Sequence, residues 1–115
     1  IIALDITDDK KKAAIDYGAD YFINTTTTEN VKKAIQDILG SVVGADVVYE
    51  CSGHSDSVKC CVLEACRPGG QVMLIGTVQE PLPFTLGTLQ IFEIDLQFCL
   101  CSRGSRNVLE YAGSR

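Results

Sequence analysis

The feature that most restricts what this chain can fold into is a strict alternation of short apolar runs with segments whose apolar residues recur at helical spacing. Ile1-Ile2-Ala3-Leu4-Asp5, Tyr21 to Asn24, Ala45 to Cys51, Gln71 to Gly76 and Leu96 to Cys101 are rich in β-branched and apolar residues. Runs unbroken by polar residues suit strands covered on both faces. Between them Val31, Ala34, Ile35, Ile38 and Leu39 fall at i, i+3, i+4, i+7 and i+8, as do Val58, Cys61, Val62, Ala65 and Cys66. Each set makes one stripe along a helix. Further helices are expected over Lys10 to Tyr17, over Leu86 to Glu93 and after Ser105. Strand and helix in alternation predict an α/β fold, a doubly wound parallel sheet with helices on both faces.

The punctuation agrees with this reading. Thr7 and Asp8 stand where caps belong, and Gly18 and Gly40 stand where helices stop. Thr26-x-x-Glu29 matches a capping box for the helix that follows. Pro68-Gly69-Gly70 is expected to break the third helix and turn the chain into the strand beginning at Gln71.

Composition excludes several classes. A net charge of -5 repels phosphates, which argues against nucleic acid or an anionic membrane as partner. No apolar run reaches the roughly 20 residues that span a bilayer, and no signal-peptide pattern is present. The six cysteines contain no C-x-x-C pair, and His54 has no second histidine to complete a familiar zinc site. They read as reduced, mostly buried thiols of a cytoplasmic protein, since a free cysteine packs as a small hydrophobe.

Asp5 is the first residue to suggest chemistry. In a doubly wound dinucleotide domain an acid ending the second strand accepts hydrogen bonds from the adenosine ribose hydroxyls, and its charge repels a 2′-phosphate, favouring NAD over NADP. The same acid also reads as a strand-end Asp that caps or faces water. The Gly-rich turn that should precede it by about 20 residues is not in this chain, which opens on an apolar residue without an initiator Met. The expectation is a partial dinucleotide-binding domain over 1–115, lacking its first strand and phosphate turn and accompanied by no catalytic zinc lobe. The strand order 3-2-1-4-5-6 would then leave two half-sheets with bare inner edges, which predicts a marginal or aggregation-prone fragment.

Three segments carry a resemblance. Tyr17-Gly18-Ala19-Asp20-Tyr21 follows a strand-Asp and a Lys-rich helix. Gly44-Ala45-Asp46-Val47-Val48-Tyr49-Glu50-Cys51-Ser52-Gly53 comes next, and then Arg67-Pro68-Gly69-Gly70-Gln71-Val72-Met73-Leu74-Ile75-Gly76. In order and spacing they resemble the medium-chain dehydrogenase/reductase superfamily. Glu50-Cys51-Ser52-Gly53 and Glu93-Ile94-Asp95 look closest to its zinc-dependent alcohol, polyol and threonine dehydrogenases.

The resemblance implies a Rossmann domain serving hydride transfer between an alcohol and NAD, with zinc bound by residues of a separate lobe. Carried over by position, Asp5 would bind the adenosine ribose, Ile6 would pack beside the adenine, and Lys10 would reach the ribose or a phosphate. Cys51, Ser52 and Gly53 would meet the cofactor at a strand end, with Gly53 allowing close backbone approach. Ile75, Gly76 and Thr77 would line the nicotinamide side, and backbone groups around Cys99 and Cys101 would meet the carboxamide. Cys101 stands where polyol dehydrogenases often have an arginine, with Arg103 two residues on, so the substrate class stays open.

Core packing is the competing reading for Ile6 and Ile75, and a solvated helix face for Lys10. His54, at a helix entrance, reads as exposed or cleft-lining rather than as a metal ligand. Glu50 reads as a buried acid whose partner lies outside the chain. No catalytic residue and no metal ligand is expected within 1–115. The partner implied is a small alcohol, and the apolar Leu96 to Cys101 run is compatible with a homo-oligomer edge. Two other functions stay open: a cofactor-binding module without catalysis, and a methyltransferase-type Rossmann domain, which the Pro-Gly-Gly-strand-Gly segment weakens.

Overall fold

The computed structural model describes residues 1–99. It divides into two compact units, Ile1–Ala45 and Asp46 onward. Strands and helices alternate as the sequence predicts: β1 (Ile2–Asp5), α1 (Lys11–Asp16), β2 (Tyr21–Asn24), α2 (Val31–Leu39), β3 (Ala45–Glu50), α3 (Ser55–Cys60), β4 (Cys66–Leu74), α4 (Leu86–Phe92) and β5 (Asp95–Phe98).

In the first unit β1 and β2 pair in parallel, from Ile2 opposite Tyr21 to Asp5 opposite Asn24. A parallel pair needs a crossover, and a 3₁₀ turn over Asp8–Lys10 followed by α1 supplies it. Gly18 (φ 102°) ends that crossover. The α2 stripe works as expected at Val31 and Ile35, which are buried with Ile23 of β2, whereas Leu39 at its end is exposed. The cap differs from the expected one. Asn30, not Thr26, caps α2, its Oδ1 accepting from Lys33 N–H at 2.8 Å. Thr26 instead donates to the Ile6 carbonyl at 3.0 Å. The capping-box spacing therefore placed the helix start too early, because Asn24 and the carbonyl of Ile6 already engage the threonine hydroxyl.

In the second unit the strand order is β3-β4-β5. β4 and β5 run parallel, with Gln71 opposite Asp95 and Leu74 opposite Phe98. Val58, Cys61, Val62, Cys66, Val72, Leu74 and Ile94 form the core. Full burial of a valine contributes about 1.5–3 kcal/mol, so Val58 and Val72 are two of its anchors.

Three boundaries depart from expectation. The third helix changes to a π-turn at Cys61–Ala65 and stops before Cys66, which belongs to β4. β4 starts at Cys66 rather than Gln71, running through Pro68-Gly69-Gly70. Arg67 Nε donates to Asp46 Oδ1 of β3 at 2.6 Å, and Gly70 is bare enough for Cys66 Sγ to crowd its Cα, 2.6 Å from where a Cβ would stand. β5 is Asp95–Phe98, beginning one residue before the expected Leu96. Its pairing ends with β4, where Cys99 N–H donates to the Leu74 carbonyl at 2.9 Å. The expected final helix and Cys101 lie outside the described residues.

Candidate functional site

In the first unit the carboxyl end of β1 presents Asp5. Its Oδ1 accepts from Thr7 N–H at 3.1 Å, a local turn that fixes the carboxylate and leaves Oδ2 with no partner among the described residues. The Asp5 carbonyl accepts from Thr25 N–H at 2.9 Å, tying the strand end to the loop after β2. Ile6 follows with 71% of its surface exposed, so core packing is not its role. Lys10 is exposed at the end of the 3₁₀ turn and makes no ion pair with Asp5.

In the second unit the corresponding strand ends are those of β3 and β4, joined at Glu50. The Glu50 carbonyl accepts from Ile75 N–H at 2.8 Å and Gly76 N–H at 3.0 Å. Its carboxylate, 1% exposed, turns back onto its own chain. It accepts from Ser52 N–H at 2.9 Å, from the Ser52 hydroxyl, and from Gly53 N–H at 3.0 Å. Burial pushes its pKa up, but the hydroxyls of Ser52 and Ser57 and the N–H groups of Gly53 and Ser52 together outweigh it and hold the pKa below the ordinary value. Buried polar groups are stable only when hydrogen-bonded, and an anion accepting several donors is the stronger case.

Sequence reasoning placed the partner of this acid outside the chain. The structure corrects that: the partners are Ser52 and Gly53 in the turn that follows, and Ser57 in the first turn of α3. The signal was present in Glu50-x-Ser52-Gly53, an acid followed two and three residues on by donors in a turn.

Gly53 and Gly76 meet over this carboxylate. Gly53 has φ 75°, and a Cβ on it would stand 2.8 Å from the Thr77 carbonyl oxygen. A Cβ on Gly76 would lie 2.1 Å from Gly53 N and 2.8 Å from Glu50 Oε2. The sequence reading had Gly53 letting the backbone come close to a cofactor; within the chain, what stands against its bare Cα is the backbone of Thr77 and Gly76.

Beside this corner Leu74, Gly76, Thr77, Val78, Phe98 and Cys99 line an open cleft of about 200 Å³. That is below the usual size of a small-molecule site. Of the residues singled out from sequence, Gly76, Thr77 and Cys99 share this cleft, and Gly53 packs behind it. Ile75 is half exposed but does not line it. Cys51 and Ser52 are exposed at the end of β3. His54 is exposed, and its Nδ1 accepts from Asp56 N–H at 3.3 Å as the cap of α3. Across the same edge the Ser55 hydroxyl donates to Glu80 at 2.8 Å, and that hydroxyl, then the charge of His54, lowers the Glu80 pKa. Among the described residues no group of three or more His, Cys, Asp or Glu is arranged to hold a metal ion.

Each unit by itself carries a feature that suits part of a nucleotide: in the first, a fixed carboxylate with an exposed apolar side chain beside it, and in the second, a bare-backbone cleft at the carboxyl ends of β4 and β5, where α/β sheets bind ligands. Comparison with known proteins agrees. Residues 1–112 match the zinc-binding dehydrogenase family, and the chain belongs to it. It is 29% identical to a D-xylulose reductase of Saccharomyces cerevisiae over all of this chain and 33% of that protein. It is 30% identical to an L-idonate 5-dehydrogenase of Vitis vinifera over 84% of this chain and 26% of that protein.

Among solved structures it resembles a zinc-dependent alcohol dehydrogenase from Streptococcus pneumonia, with a TM-score of 0.78 and 26% identity over 99% of this chain and 33% of that one. An alcohol dehydrogenase from Thermotoga maritima also gives 0.78, at 28% identity over 96% and 31%. The chain thus spans about a third of the length of these relatives. Family membership sets the methyltransferase reading aside.

Proposed function

We propose that this chain is the NAD(H)-binding part of a dehydrogenase that moves a hydride between a small alcohol, of the polyol kind, and a nicotinamide cofactor. The observation that carries the proposal is Asp5: a carboxylate at the carboxyl end of a parallel strand, held by Thr7 N–H through one oxygen and open at the other. Two ribose hydroxyls are the natural donors for such a group, and a 2′-phosphate is the natural misfit.

In this reading Ile6 covers the adenine and Lys10 reaches toward the ribose or phosphate. Cys51, Ser52 and Gly53 meet the cofactor at the end of β3. Ile75, Gly76 and Thr77 border the nicotinamide, with Cys99 and Cys101 offering backbone groups to its carboxamide. When bound, NAD would supply the hydride acceptor, and a zinc held by residues outside this chain would supply Lewis-acid polarisation of the alcohol oxygen. Acting alone the chain binds and orients but does not react. A cytoplasmic setting, with its thiols reduced, and self-association through the β5 edge belong to the same proposal. Among the described residues no helix is long and apolar enough to cross a membrane.

The test is a fluorescence titration of the protein at full length with NADH and NADPH, for wild type and Asp5→Gly. Losing charge-assisted hydrogen bonds to the ribose should weaken NADH about tenfold, while NADPH gains. A substitution that changes neither nucleotide would sink the ribose role.

A further inference from the structure

Glu50 is the one buried charged side chain among the described residues, and no lysine, arginine or histidine neutralises it. Burying an anion is costly unless donors replace its water, and here they do so from two sides. Ser52 and Gly53 hold it from the turn after β3. From α3 the Ser57 hydroxyl faces the same carboxylate and lowers its pKa. The same residue's carbonyl receives Ile75 and Gly76, the end of β4. Glu50 therefore touches both sides of the corner against which Gly76 packs, and Gly76 and Thr77 form one wall of the cleft.

We propose that Glu50 is a positioning residue for the nicotinamide end of the cofactor: its buried carboxylate fixes the Cys51–Gly53 turn, which in turn sets the depth at which Gly76 and Thr77 stand in the cleft. This rests on the NAD(H)-binding reading. Glu50 makes no contact with the cofactor itself, because its oxygens are occupied by the turn and covered by Gly76. A glutamine keeps the size and one acceptor oxygen, but sets an amide N–H₂ against an N–H or a hydroxyl that now donates to the carboxylate. At least one donor of the turn then loses its acceptor, and the turn relaxes away from Gly76.

The decisive comparison is NADH against AMP, since AMP carries the adenosine end and no nicotinamide. Both dissociation constants are measured on the protein at full length for wild type, Glu50→Gln and Ser57→Ala, together with thermal melts. For Glu50→Gln we expect a cooperative melt, NADH weakened about tenfold and AMP within about twofold of wild type, the size expected for a lost hydrogen bond to a charge. Unchanged NADH affinity in the folded variant overturns the proposal. So does an equal loss for NADH and AMP, which would make Glu50 a general prop of the fold. Should Glu50→Gln not fold, Ser57→Ala decides, because it removes one donor and leaves the charge. A selective loss for NADH of about threefold supports positioning, and no loss overturns it. If wild type binds neither ligand, the NAD(H) reading fails instead, so the two failures are told apart.

Discussion

Gly53 and Gly76 stand so close that a methyl group on Gly76 would be placed 2.1 Å from the Gly53 nitrogen and 2.6 Å from its Cα. Main chain meets main chain there, and neither side can give way as a flexible side chain would. Gly53 is doubly constrained, since its φ of 75° also lies in the region that residues with a Cβ avoid.

Gly76→Ala should accordingly destabilise the second unit by about 1–3 kcal/mol, the usual cost of forcing atoms into a packed site. The check is a denaturant melt of wild type and variant side by side. A variant within about 0.5 kcal/mol of wild type would show that the two strand ends separate easily.

The titration of Glu50 gives a second expectation. Its pKa is held below 4.5 in the folded chain, because the donors around it outweigh its burial. A depressed folded-state pKa adds stability that is present above the unfolded-state value near 4.5 and is lost as pH falls through the folded-state value. Besides its donors, the ionisable groups facing the carboxylate are the Cys61 thiol and, through it, Cys60 and Cys51. Burial holds the Cys61 and Cys60 thiols neutral in that range. The midpoint of thermal unfolding should fall below pH 4.5 more steeply in wild type than in Glu50→Gln. Parallel curves for the two proteins would contradict this.

Thiol reactivity should follow burial. Burial, then the charges of Cys60 and Glu50, push the Cys61 thiol up to about 12, and burial with Glu64 pushes Cys60 up to about 11. Cys66 is also raised, first by burial. Cys51 is exposed at the end of β3. Iodoacetamide at neutral pH, followed by peptide mass mapping, should modify Cys51 before these three and Cys61 last, because the thiolate is the nucleophile. Early labelling of Cys61 would mean that the core around Val58 and Val62 opens readily.

Periodicity made the fold readable. Parallel strands and amphipathic helices leave strong apolar patterns, and Val58, Cys61, Val62 and Ala65 are all buried as helical spacing requires. Boundaries were harder, because they depend on competition among local hydrogen bonds. Thr26 had the spacing of a cap yet bonds Ile6, and Asn30 caps instead. Pro68-Gly69-Gly70 looked like a break yet runs within a strand, since Arg67 reaches Asp46, twenty-one residues earlier in the chain.

Of the candidate residues, Asp5 stood out in the sequence as an acid ending a strand, and Gly76 stood out through the segment that carries the family resemblance. The role of Glu50 could not. A glutamate in an apolar strand looks the same whether its partners are distant cations or its own neighbours, and only the turn of the backbone decides between them.

That turn also has a consequence for which positions of this chain can vary. Two of the donors that hold the Glu50 carboxylate are the main-chain N–H groups of residues 52 and 53, which every residue except proline carries. Changing side chains around the anion removes a hydroxyl at most. The anchor can be lost outright at a single codon, the one for Glu50, while Ser52 can drift with far smaller effect on the hydrogen bonds that keep the corner shut; Gly53 and Gly76 are fixed for a separate reason, the space between them.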